Sequence, residues 1–281
     1  MLNTLVVVWR ESLEAMLVVG ILLGWIGRQA DPAPLRRGLW AGVAAGVALA
    51  LLLGVATFAA QSQMQGQALE LFQLAMVLLA VVLVSEMVFW MHRHGRAMKR
   101  ELEARAAQRA SVLGIAAIAA IAVAREGTET AIFLYGIVAE AAGASLAGLL
   151  AAALAGFALA ALTAAVVARG ARWISYRAVF AVSEAALLLI GAALLAHAID
   201  RLIGLDWLPP GIDPLWDSSA LLDDSRGAGR LLADFTGYRA RPCATLVAGL
   251  ALYWAYVGVR LRAGSGANAP VPRGANPEVA P

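Results

Sequence analysis

The sequence predicts an all-α integral membrane protein with seven transmembrane helices, arranged as a 3+3 inverted repeat followed by a final helix. Three observations lead there. Of the 281 residues, 61% are hydrophobic and only 15% charged, and the mean hydropathy is +0.75; a soluble domain carries more charge and less aliphatic surface. The apolar residues fall into runs of the ~20 residues needed to cross a bilayer core. The segments between the runs alternate between arginine-rich and arginine-free, as the two sides of a membrane require.

The runs lie at about 4–26, 37–60, 69–91, 112–139, 146–168, 178–200 and 243–261. Arg28, Arg36 and Arg37 follow the first, "HRHGRAMKRELEARAAQR" follows the third, and Arg169, Arg172 and Arg177 follow the fifth. The "QSQMQGQ" turn after the second and the "EAAGAS" turn after the fourth carry no Lys or Arg. The N-terminus is therefore expected outside and the C-terminus in the cytoplasm. Residues 201–242 form a long outer loop with Pro and Gly punctuation, in which Ser219 to Phe235 has room for a short surface helix. Residues 1–262 make up the membrane domain, and the tail 263–281 lacks apolar periodicity and reads as disordered. No cleavable signal is expected, since "MLNTLVVVWRESLEAM" lacks a basic start and carries charges inside its apolar run.

The single cysteine, Cys243, excludes an intrachain disulfide and a cysteine metal site. The net charge of +3 comes from loop arginines and speaks of orientation, not of nucleic acid. Trp25, Trp40, Trp90, Trp173, Trp207 and Trp254 fall near span ends and read as interface anchors. "GVAAGVALALLLG" reads as a small-residue packing face. His92 and His94 sit in a basic stretch and read as solvated, and His197 as interfacial.

The repeat is seen in short motifs. "RESLE" (Arg10 to Glu14) in the first span matches "REGTE" (Arg125 to Glu129) in the fourth, and "VSE" ends at Glu86 in the third and at Glu184 in the sixth. Three spans are an odd number, so the halves run in opposite directions, the plan by which many secondary transporters build a site between halves. At 100° per residue, Glu11 and Glu14 lie about 60° apart on one helix face with Arg10 beside them, and Glu126, Glu129 and Arg125 repeat that geometry. A charge at this depth costs about 2.5–3.5 kcal/mol, so these groups should face protein or a water-filled cavity. Counted from the span ends, Glu11, Glu14, Glu126 and Glu129 form one layer, and Glu86 and Glu184 a second layer about 12 Å deeper. Near the cytoplasmic end, Glu86 and Glu184 could equally snorkel to the basic loops.

Oxygen-only ligands favour a hard cation. Ferric iron suits clustered carboxylates, and ferrous iron, manganese, magnesium and calcium are compatible with the same residues. Arg10 and Arg125 are expected to position one carboxylate of each pair through their rigid forks.

Two Arg-Glu-x-x-Glu motifs in the first and fourth of seven spans resemble the high-affinity, oxidase-dependent iron permeases. The likeness extends to about Arg262 and includes an outer loop of the "WDSSALL…GRLLADFTGYRARP" type. It implies iron as the transported substrate with no permanently bound cofactor. It also implies passage by Glu11, Glu14, Glu126 and Glu129, and an extracytoplasmic oxidase or peroxidase and an iron-binding protein as partners. One departure is Thr128, where the family commonly has the Leu seen at Leu13. The competing readings are a carrier or channel for another divalent cation, a membrane-bound di-iron enzyme, and a structural subunit. Di-iron sites in helical bundles use Glu-x-x-His pairs, which no span contains.

Overall fold

A computed structural model describes residues 2–94, 98–140, 145–169 and 176–266. The described residues form helices and connecting segments with no strand. In chain order the helices are α1 (Leu2–Ile26), α2 (Pro32–Ser62), α3 (Gly66–His94), α4 (Met98–Gln108), α5 (Val112–Glu140), α6 (Leu146–Ala168), α7 (Tyr176–Gly204), α8 (Gly227–Thr236) and α9 (Ala244–Gly266). Five of them, α2, α3, α6, α7 and α9, are long and apolar enough to cross a membrane. Helices α1 and α5 are as long, at 25 and 29 residues, but each carries an Arg-Glu-x-x-Glu triplet of charges. Residues 141–144 of the "EAAGAS" turn, Arg172, Trp173, the side chains of His94 and Arg177, and the tail from residue 267 lie outside the described residues. Helix α9 continues to Gly266, four residues past the expected end of the membrane domain at Arg262.

Helix α2 starts cleanly because Pro32 occupies its first turn, where a missing N–H costs nothing. It then runs along α5, while α6 runs along α1 and α3 along α7. In lipid there is little hydrophobic drive between helices, so close approach by small residues must supply the packing. Gly38, Gly42 and Gly46 provide it on α2, facing Val112, Ala116 and Ala120 of α5 in the same order, so these helices are parallel. A Cβ at Gly42 would collide with the Ala116 backbone itself. Gly156 plays the corresponding part on α6, against the Leu5 carbonyl and the Trp9 amide of α1. Gly42→Leu is accordingly expected to separate α2 from α5 and cost about 1–3 kcal/mol or more from overpacking. Its check is the thermal midpoint in detergent, with Gly54→Leu, whose site has only distant neighbours, as the comparison.

Helices α1 and α5 are antiparallel. Leu22 and Ile26 share a buried cluster with Ile115 and Ala119, while Glu11 meets Glu126 and Glu129. Helices α3 and α5 are antiparallel too, with Ala80 and Val77 beside Gly136 and Met87 beside Arg125. Trp25, expected as an interface anchor, is instead buried in the cluster with Leu22, Ile26 and Leu39. Helix α4, within a stretch read only as a basic loop, packs Ala106 there and carries the Glu101–Arg105 and Arg28–Glu103 ion pairs.

The segment between α7 and α9 doubles back on the start of α9. Leu215 and Ser218 donate their amides to the carbonyls of Pro242 and Ala240, and Ala244 and Thr245 donate to Ile212 and Pro210. The helix here is only α8, shorter than the 219–235 stretch considered from sequence. Asp217 and Asp223 divert the chain by accepting from the amides and hydroxyls of Ser219 and Ser225. Those bonds, with Arg241 and Arg226 adding smaller effects, hold both carboxyls below the usual range. The turn ending α8 passes through Gly237 at φ 75°, a left-handed conformation that glycine adopts without strain. Gly237 packs on Ala192, Ala193 and Ala196 of α7, and the Asn3 side chain donates to the Asp234 carbonyl at 2.6 Å, so α8 lies against the middle of α7 and the start of α1.

A buried three-carboxylate cluster between α1 and α5

Each Arg-Glu-x-x-Glu triplet lies within a single helix, so its side chains share a face by helical spacing alone. What the fold adds is the opposition of the two faces. Glu11 of α1 and Glu126 and Glu129 of α5 each offer a carboxylate oxygen, and the three atoms lie within 4.8 Å of one another. One oxygen of each, Oε2 in all three, is buried without a hydrogen-bond partner. The other oxygens of Glu11 and Glu129 are occupied: Arg10 Nη1 donates to Glu11 Oε1 at 2.8 Å, and Arg125 Nε to Glu129 Oε1 at 2.8 Å.

Three buried carboxylate oxygens at this separation repel one another when ionised, and burial shields them from bulk solvent. Oxygens no more than 4.8 Å apart stand at most about 2.8 Å from the centre of their triangle, against about 2.0–2.6 Å for bonds to hard cations. A small side-chain adjustment closes that gap, so the geometry suits a small hard cation. With Arg10 and Arg125 against Glu11, Glu14, Glu126 and Glu129, the formal charge of the two triplets is 2 − 4 = −2.

The fourth motif carboxylate is near enough to Glu126 and Glu129 to interact with both electrostatically but is held differently. Glu14 Oε1 is ion-paired with Arg10 Nη2 at 2.5 Å, and Glu14 is not among the three that converge. The arginines also differ. Arg10 is 1% exposed and engages two carboxylates. The Arg125 side chain is 45% exposed and engages one, and it also meets Met87 Sδ at 3.1 Å and the Trp90 ring at 5.4 Å. Neither α3 contact was expected from the sequence, where Trp90 reads as an anchor. Thr128 donates its hydroxyl back to the Ala124 carbonyl at 2.7 Å, a bond internal to its helix.

The second layer of carboxylates is not arranged as the span ends suggested. Gly136 opposite Ala80 and Val77 sets the register of α3 on α5. That register brings Glu86 within about one helical turn of the Glu126–Glu129 level, not about 12 Å deeper. The Glu86 side chain is 55% exposed and pairs with Arg260 of α9 at 3.5 Å, away from the cluster. Glu184 lies further toward the α4 end and has His92 Nδ1 at 3.8 Å from Oε2. His92 is thus a neighbour of Glu184, not simply a solvated residue, and the His197 ring is bonded to the Ala193 carbonyl at 2.8 Å.

A helical bundle with several helices long and apolar enough to cross a membrane, and a buried acidic cluster between two others, defines a multi-pass membrane protein with charge held inside it. Comparison with known proteins narrows the class: the iron permease FTR1 family profile matches residues 1–264, and the chain belongs to that family. It is 34% identical over 138 residues to the ferrous iron permease EfeU of Escherichia coli O6:H1, covering 46% of this chain and 48% of that protein. It is 34% identical over 152 residues to the iron permease EfeU of Bacillus subtilis, covering 50% and 31%. With the ferrous iron permease EfeU of Yersinia pestis the figures are 30% over 138 residues, 46% and 47%. The match thus spans about half the length, or less, of these curated relatives. No solved structure matches.

Proposed function

We propose that the chain is an iron permease of the cell inner membrane. It moves iron ions inward through the site that α1 and α5 build together. The observation that carries this reading is the convergence of three bare, buried carboxylate oxygens donated by two antiparallel helices. Membership of an iron permease family supports iron as the cargo. The formal charge of −2 across the two triplets favours a divalent ion, since ferrous iron leaves a neutral complex in a low-dielectric interior.

In this reading α1 and α5 cross the membrane with α2, α3, α6, α7 and α9, giving seven spans with the N-terminus outside and the C-terminus in the cytoplasm. The pairing of helices supports an inverted repeat: exchanging α1–α3 with α5–α7 turns the α2–α5 contact into the α6–α1 contact and the α3–α7 contact into itself. Glu14 receives the ion from Glu11 one turn further in, and Glu184 with His92 lines the inner end of the route. Glu86, turned to Arg260, serves as a tether for α9. Outside, an oxidase or peroxidase and an iron-binding protein deliver the ion, and inside-negative potential contributes about 2.3 kcal/mol per charge per 100 mV. The work is transport, not catalysis, because the cluster lacks the Glu-x-x-His pairs of di-iron enzymes.

Purified protein in proteoliposomes, given radiolabelled ferrous iron, manganese, magnesium, calcium and chelated ferric iron in turn, tests the assignment. Saturable uptake is expected for iron, with ferrous ahead of ferric. Preferred uptake of manganese or magnesium would assign the site to another divalent cation, and no uptake of any ion would remove the permease reading.

A further inference from the structure

On its Asn3 side the carboxylate cluster meets a buried apolar layer. Val7 precedes Glu11 by one turn and Phe133 follows Glu129 by one turn. Because α1 and α5 are antiparallel, both residues lie on the Asn3 side of the cluster, about 6 Å from it by helical rise. They are 0% and 1% exposed and belong to one buried apolar cluster with Val77, Ala80, Val84 and Leu194 of α3 and α7. One turn beyond Phe133, Gly136 lets α5 close on Ala80 and Leu194, thickening the same layer. On the other side the facing parts of α3 and α7 carry buried Ser183 and the Glu184–His92 pair.

We propose that Phe133 and Val7 form the outer gate of the permease, and that the structure is its outward-closed state. This inference rests on the inward-permease reading above, which makes the Asn3 side the side of arrival. A dry apolar constriction stops a hydrated cation more firmly than a narrow polar one, because the ion would lose its water with no replacement ligand. Here the replacement ligands wait one turn beyond the barrier. The gate therefore excludes ions until Phe133 swings or α1 shifts, and it sets the rate of loading without itself binding the ion.

Thiol accessibility tests this without requiring iron. In full-length protein with Cys243→Ser, Glu11→Cys supplies a single thiol just inside the barrier. A membrane-impermeant cationic methanethiosulfonate is added to the outside of right-side-out vesicles. Labelling is expected to be slow with Phe133 present and about tenfold or more faster with Phe133→Ala. Val7→Ala opens the same layer from the α1 side and is expected to give a smaller acceleration in the same direction, so a poorly folded Phe133→Ala protein leaves the test intact. Equal rates with and without Phe133, or rapid labelling with the native layer, would overturn the gate. Acceleration of labelling in a protein that transports some other ion would keep the gate and remove only the iron assignment.

Discussion

Glu11→Gln, Glu126→Gln and Glu129→Gln are each expected to abolish saturable iron uptake and to weaken ferrous-ion binding in detergent by at least ~30-fold. The magnitude follows from losing one charged contact in a desolvated site, worth about 2–5 kcal/mol, at tenfold per 1.4 kcal/mol. Glu14→Gln is expected to behave differently. Its partner is Arg10 at 2.5 Å, and the three converging oxygens come from the other residues. The variant should still bind iron within a few-fold of the native protein, because a Gln carbonyl can still accept from Arg10. Uptake should nevertheless fall sharply, since on the proposed route Glu14 follows Glu11 and a neutral amide receives a cation poorly. Equilibrium binding beside proteoliposome uptake separates the two quantities. If Glu14→Gln loses binding as completely as Glu11→Gln, the four carboxylates form a single shell and the division of labour is wrong.

That division marks where sequence reasoning stops. The pairing of α1 with α5 was legible, because three ionisable groups within each apolar helix must face protein, and the only comparable set lies in the other helix. Which carboxylate Arg10 would draw away was not legible. Glu11 and Glu14 are both within reach of its guanidinium by helical spacing, and the packing of α5 decides which oxygens stay bare. Depth failed for a related reason. Counting from span ends assumes that every apolar run meets the bilayer alike, yet Gly136 closing on Ala80 sets the register between α3 and α5 and lifts Glu86 to the motif level. The packing face on α2 was legible as glycines four apart. So, in retrospect, was α4, whose Glu101 and Arg105 sit at the i,i+4 spacing of a helix. The path of the segment between α7 and α9 was not, since bonds from Leu215, Ser218 and Ala244 to distant carbonyls fix it.

Arg10→Met should be the most damaging single change to folding, and Arg125→Met should not be, although the two arginines hold equivalent places in the repeat. Arg10 is 1% exposed and stands between Glu11 and Glu14. Its removal strands two buried carboxylates, and breaking a buried ion pair from one side costs about 3–5 kcal/mol, a large part of a typical margin of stability. Arg125, half-exposed, answers one carboxylate and leans on Met87 and Trp90, so its loss strands one carboxylate rather than two, and a pair whose cation is half in solvent contributes less. Arg10→Lys restores the charge but not the fork that reaches both carboxylates at once, and should fold while transporting poorly. Thermal unfolding in detergent, followed by loss of the monodisperse peak, ranks the three. The expected order of midpoints is Arg125→Met above Arg10→Lys above Arg10→Met. Equal losses for the two Met variants would mean that exposure does not govern the cost, and that the motifs are balanced by a field shared across both helices rather than by their own arginines.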